Sequence, residues 1–128
     1  MRKVIIRKMK RIELTNALDL QNVSIHSMER MVRVYAVGGE LGECVDGFIV
    51  KDKKHGKAEH FITSTGVELI RGYKSHTLIT VTIPSVSTVR KYYETLGDKA
   101  PEELLEVVQK AKAAFRKWET SQKKVARY

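Results

Sequence analysis

Between Phe48 and Ile83 the chain runs through short apolar, β-branched stretches whose connections are too short to hold a crossover helix. Strands joined in this way lie antiparallel to their neighbours. Phe48-Ile49-Val50 leads into Lys51-Asp52-Lys53-Lys54-His55-Gly56, a hairpin signal in which glycine supplies the positive φ. Glu59 to Thr63 follows, then the turn Ser64-Thr65-Gly66, then Val67 to Tyr73. After Lys74-Ser75 comes the clearest strand, Thr77 to Ile83, stopped by Pro84. Asp46-Gly47 is an alternative tight turn that would add a short strand at 43–45. Alternation along the third of these strands sets Val67, Leu69 and Arg71 on one sheet face and Glu68, Ile70 and Gly72 on the other.

The flanking segments read mostly as helix. Residues 3–14 are a mixed apolar and basic stretch whose β-branched run predicts a strand, and 15–23 hold turn formers. Ser24 then caps a helix that ends at Gly38-Gly39. At about 100° per residue, Ile25, Met28, Met31, Val32 and Tyr35 share one arc, and His26, Arg30 and Arg33 share the opposite one with Glu29 at its margin. Val86, Val89, Tyr93 and Leu96 keep helical spacing up to Gly97. Pro101 opens a longer helix with Glu102 and Glu103 in its first turn and a stripe of Leu104, Val108, Ala111, Phe115 and Trp118. Past Trp118 the apolar spacing ends. The expected fold is therefore α+β: an antiparallel β-meander of about four strands packed against a helix of the N-terminal half, with two C-terminal helices. Residues 1–118 form one domain, and 119–128 form a basic tail.

The chain has 128 residues, enough for one domain with its own core. The lone cysteine, Cys44, cannot close an internal disulfide, which points to a reducing, cytoplasmic setting. The apolar run Val4-Ile5-Ile6 is too short for a signal peptide or a membrane span. Net charge is +9. It comes from residues 1–13 (+5), 51–80 (+3) and 110–128 (+6), while 14–50 and 81–109 are net acidic. Positive charge gathered in this way attracts a polyanion. The expected partner is a nucleic acid, RNA before DNA, with an acidic protein or an anionic membrane surface as the alternatives. The predicted grip comprises Arg7, Lys8, Lys10 and Arg11, then Lys53, Lys54, Lys57 and Arg71, and finally Lys117, Lys123, Lys124 and Arg127.

Two constellations have the residue types for chemistry. His26, Glu29, Arg30 and Arg33 lie at spacings that stack side chains on one helix face. A histidine shuttles protons near neutrality, and an arginine grips phosphate through paired hydrogen bonds. These are the parts of a metal-independent ribonuclease site, and equally of an ordinary solvated helix face. The second set is His60, Arg71, Lys74 and His76, which also reads as hairpin-end residues. The histidines lack the paired spacing of a zinc site, and no dinucleotide or P-loop fingerprint is present, so no cofactor is expected. Cys44 reads as a small hydrophobe, and Tyr92, Tyr93, Phe115 and Trp118 as core.

Ser24-Ile25-His26-Ser27-Met28-Glu29-Arg30-Met31 resembles the opening helix of small bacterial and phage proteins related to the RelE-type and BrnT-type ribonuclease toxins. Their His-small-x-x-Arg-Met helix precedes a meander whose last strand is similar to Leu78-Ile79-Thr80-Val81-Thr82. The resemblance implies helices packed on an antiparallel sheet and RNA cleaved on that sheet without a metal. His26 and Arg30 match the motif directly, whereas Lys74 and His76 match by lying near the last strands. The chain departs from the pattern where Val34, not glycine, follows Arg33, and residues 86–128 have no counterpart in it.

Three functions follow as expectations. In the first, a toxin-like endoribonuclease, His26 is base or acid, Arg30 and Lys74 hold the phosphate, and His76 is the second proton carrier. The second is a non-catalytic nucleic-acid-binding module. The third is an adaptor of a phage or mobile element that meets an acidic partner.

Overall fold

In a computed structural model, which describes residues 4–17, 22–53 and 56–125, the meander is the centre of a larger sheet. Its strands are β3 (Cys44–Asp52), β4 (Gly56–Thr63), β5 (Glu68–Gly72) and β6 (Thr77–Thr82). β1 (Val4–Lys8) adds antiparallel to β3, and the two-residue β2 (Asn22–Val23) adds parallel to β6. The order is β1-β3-β4-β5-β6-β2, six strands where the sequence predicts about four. Among the described residues the helices are α1 (Arg11–Thr15), α2 (Ile25–Arg30), α3 (Val86–Thr95) and α4 (Glu102–Val125), and α2 continues as a 3-10 helix over Met31–Val37. The fold is α+β.

Several boundaries move for local reasons. The predicted strand over 3–14 stops at Lys8, where Met9 turns into the core and its N–H donates to the Gly47 carbonyl at 2.7 Å. The Lys10 N–H then donates to Glu13 Oε1 at 2.7 Å, which starts α1 in place of further strand. Asp46-Gly47 is not a turn. β3 passes through it with a bulge between Cys44 and Asp46. The predicted tail is also helical as far as Val125, because α4 runs on past Trp118.

Register explains the two-sided core. On one face Phe48, Val50 and Ile62 meet α3 and the first half of α4 through Val89, Tyr92, Tyr93, Leu104, Leu105 and Val108. On the other, Ile49, Phe61, Leu69 and Val81 meet Met9, Val34, Ala111 and Phe115. Thus α4 serves both clusters and crosses the end of the sheet at the β4–β5 turn. Gly66 permits that crossing. It has φ +85°, and a Cβ there would sit 2.7 Å from the Ala111 Cβ and 3.0 Å from the Val107 carbonyl oxygen.

Polar groups inside the sheet are paired across strands. Glu59 and Arg71 stand opposite each other in the β4–β5 register, and Arg71 Nε donates to Glu59 Oε1 at 2.9 Å. Arg71 Nη1 reaches the Asn16 and Ala17 carbonyls at 3.0 and 3.1 Å, tying the segment after α1 to the sheet. On the opposite face Tyr92 donates to Glu68 Oε2 at 2.6 Å, and His60 Nδ1 lies 3.3 Å from the Tyr92 hydroxyl. His60 therefore sits in the middle of a strand and in the interior, not at a hairpin end.

Candidate nucleic-acid interface

Helix α2 is pinned to β6 by its own serines. Ser24 Oγ caps the helix by accepting from the Ser27 N–H at 3.0 Å, and it donates to the Ile79 carbonyl at 3.2 Å. Ser27, fully buried, donates from Oγ to the Leu78 carbonyl at 2.8 Å. This docking turns Ser27, Arg30, Met31 and Val34 toward the sheet, while His26 stays exposed beside β6. The apolar arc faces solvent instead: Ile25 is 72% exposed, Met28 57%, Val32 43% and Tyr35 74%. Core packing in this stretch falls to Val34, with Met31, Ala36 and Val37 partly buried against the same cluster. The switch to 3-10 winding at Met31 changes the angular step and brings these residues round.

Beside β6, Arg30 Nε donates to His26 Nδ1 at 3.4 Å, and His26 Nε2 lies 3.2 Å from Thr80 Oγ1. Next along β6, Arg33 Nη1 donates to the Val81 carbonyl at 3.4 Å and Lys112 Nζ to the Ile83 carbonyl at 2.9 Å. Both cations also lie over the Phe115 ring, at 5.4 and 5.6 Å from its centroid. Burial lowers the Arg33 pKa, with repulsion from Arg30 adding to it and Glu119 opposing. An arginine remains charged under that shift. Arg30, Arg33 and Lys112 thus make one cationic strip beside β6.

Lys74 and His76 belong to the other end of that strand. His76 sits at φ +53° just before β6, and its N–H donates to the Gly72 carbonyl at 3.1 Å. Exposed Lys74 lines a cleft of about 420 Å³ with Lys57, Gly72, Tyr73, Ser75 and Ile79, and the Lys57 ammonium lies 4.6 Å from the Tyr73 ring centroid. Thr80, which marks the His26 position, is four residues on from His76, about 13 Å of extended chain. The structure brings His26 and Arg30 together, and it sets Lys74 and His76 apart from them.

The N-terminal cations are partly committed to carboxylates. Arg7 forms a bidentate pair with Glu13 at 2.7 and 3.0 Å. That hydrogen-bonded guanidinium, helped by the Lys10 N–H, holds the Glu13 carboxyl down at about 2. Lys8 Nζ lies 3.3 Å from Asp46 Oδ1 and over the Tyr93 ring. Lys10 and Arg11 are exposed, and Arg11 borders a cleft of about 920 Å³ whose wall also holds Glu43 and Asp46. Burial raises the pKa of the Cys44 thiol, on the same wall, to about 11, which keeps it protonated. Arg71 must be removed from the predicted grip: at 3% exposure, with its guanidinium on Glu59 and two carbonyls, it cannot reach a phosphate at the surface. Lys53 is exposed in the β3–β4 turn. Lys54, Arg127 and the side chain of Lys124 lie outside the described residues.

The C-terminal half of α4 presents an exposed cationic surface, of which Lys117 and Lys123 belong to the predicted set. Lys110, Arg116, Lys117 and Lys123 are all exposed. At about 100° per residue, Lys110 and Lys117 form one row and Arg116 and Lys123 a second, roughly a third of a turn away. Ala113 and Thr120 lie between the rows, and with Arg116, Lys117 and Ser121 they line a shallow groove on this surface. Residues 119–123 are exposed on every side, so this end of the helix projects past the sheet. Lys110, Lys112 and Arg116 are missing from the residues predicted individually. The seven-residue repeat of Lys110, Lys117 and Lys124 was the signal that could have found this face.

Aromatic residues do not supplement that surface. Tyr92, Tyr93 and Phe115 are buried, and Trp118 stacks on Phe115 with centroids 5.9 Å apart. Among the described residues, no group of three or more His, Cys, Asp or Glu side chains is placed to hold a metal ion, and no helix is long and apolar enough to cross a membrane. No protein-family model, curated protein or solved structure matches the chain.

Proposed function

We propose that this protein binds nucleic acid through the phosphate backbone, with the C-terminal half of α4 as the main grip and the Arg30–Arg33–Lys112 strip as a second contact. The observation that carries the reading is the pair of exposed cationic rows on a projecting helix. Their groove is lined by Ala113, Thr120 and Ser121 beside Arg116 and Lys117, whereas Arg7 and Lys8 are occupied by carboxylates. A polyanion meeting such rows gains affinity mainly by releasing counterions, and that gain is sequence-independent. With Tyr92, Tyr93 and Phe115 packed inside, the α4 contact reads backbone charge and not stacked bases. Fluorescence anisotropy with labelled RNA and DNA oligonucleotides tests the reading. Binding that weakens with salt supports it, and no binding at low salt rejects it.

A second reading, the toxin-like endoribonuclease, is favoured by the His26–Arg30–Thr80 contact, which sets a proton carrier beside a cation at the edge of the sheet. In this reading Arg30 steadies the phosphate and His26 moves the proton, while Lys74 and His76 guide the strand farther along β6. Incubation of the purified protein with RNA in EDTA tests it. The expected result is cleavage abolished by His26→Ala and only weakened by His76→Ala. Intact RNA, or cleavage that survives His26→Ala, rejects it.

A further inference from the structure

The exposed face of α4 is divided by charge along its length. Glu102, Glu103 and Glu106 are exposed on its first half, and Lys110, Arg116, Lys117 and Lys123 on its second. Between the two cationic rows stand Ala113 and Thr120, both exposed and both short, so the middle of the face is low and its two flanks are high and positive. Glu119 is the only acidic side chain between Lys110 and Lys123. It lies beyond the Arg116–Lys123 row and near Arg33, whose charge it stabilises. The two rows therefore face solvent without a carboxylate between them.

Their spacing discriminates among nucleic-acid forms. Rows a third of a turn apart on a helix 10–12 Å across stand roughly 10 Å from each other, and Lys110 to Lys123 covers about 20 Å of helix. The major groove of B-form DNA is about 12 Å wide, admits an α-helix and has a phosphate backbone along each side. The major groove of A-form RNA is too narrow and deep for side chains to read, and a single strand offers one backbone to two rows. Taking the phosphate contact proposed above as given, we infer that the second half of α4 lies in the major groove of duplex DNA. Lys110 and Lys117 meet one backbone, and Arg116 and Lys123 meet the other. Ala113 and Thr120 then face the base pairs, and neither can form the paired hydrogen bonds that identify a base, so the duplex form is selected with little sequence preference. Glu102, Glu103 and Glu106 repel phosphate and keep the first half of the helix outside the groove.

Competition anisotropy with the full chain tests the inference on four probes of one sequence. These are a DNA duplex, the RNA duplex, a single strand, and a DNA duplex whose cytosines carry glucose on a C5 hydroxymethyl group. That sugar fills the major groove and leaves the phosphates untouched. The plain DNA duplex should bind about tenfold or more tightly than each of the others, the penalty of one badly fitting group at a packed contact. Ala113→Phe, at a position exposed in the single chain, should remove this advantage with an unchanged far-ultraviolet circular dichroism spectrum. Equal affinity for the DNA and RNA duplexes, a preference for the single strand, or full binding of the glucosylated duplex overturns the inference and leaves the phosphate contact standing. An Ala113→Phe chain that keeps the preference does the same. Binding to none of the four rejects both.

Discussion

Ser27 Oγ donates to the Leu78 carbonyl at 2.8 Å, out of contact with solvent, and this bond fixes which side of α2 faces the sheet. The Leu78 carbonyl also accepts from the Ser24 N–H at 3.2 Å, so it is not orphaned when Ser27 is truncated. Ser27→Ala should therefore cost about 1 kcal/mol, the net worth of a typical hydrogen bond, and not the larger penalty of an unsatisfied buried acceptor. Urea unfolding monitored by circular dichroism reads the difference. No measurable loss would mean that α2 is held by other contacts.

The Glu59–Arg71 pair makes a different demand. Both side chains are buried, at 5% and 3% exposure, so removing one leaves a charge stranded in the sheet. Glu59→Ala should destabilise by roughly 3–5 kcal/mol, and the paired change Glu59→Leu with Arg71→Met should recover much of the loss. The double variant should also keep its nucleic-acid affinity, since Arg71 belongs to the fold and not to the surface. Equilibrium unfolding and anisotropy on the same samples check both statements.

Acid should loosen the N-terminal corner first. Glu13 has its pKa lowered from 4.5 to about 2, first by Arg7 and then by the Lys10 N–H. A depressed carboxyl contributes stability that is present above its unfolded pKa and is lost as pH falls through the folded value. The window is thus about pH 4.5 down to 2. Because the pair is partly solvated, its contribution is no more than about 1 kcal/mol. The stability gap between the parent chain and Glu13→Gln should be constant above pH 5 and close toward pH 2, as read by thermal melts across that range.

The legible and illegible parts of the sequence divide on physical grounds. β3 to β6 are written in local signals: β-branched runs, a positive-φ Gly66 and a stop at Pro84. Pro101 and the Leu104–Phe115 stripe likewise announce α4. Periodicity shows which residues of α2 share a face, but not which face turns inward. That depends on Ser24 and Ser27 finding carbonyls 55 and 51 residues away. The two-residue β2 has no pattern of its own and exists only because Thr77 and Leu78 offer an edge. Arg71 looked like a surface cation until the strand register set Glu59 opposite it. At the candidate site, His26 and Arg30 were legible as an i, i+4 pair, while the distance to His76 depended on where β6 begins.

The salt dependence of nucleic-acid affinity tests the central claim most directly. With four to five phosphate contacts from α4 and the neighbouring strip, log K against log salt on duplex DNA should fall with a slope of about −3.5 to −4.5. Lys117→Glu with Lys123→Glu should weaken binding across all sequences and make the slope shallower by about 2, one unit for each cation removed. A slope near zero, or a double variant that binds like the parent, would contradict the account.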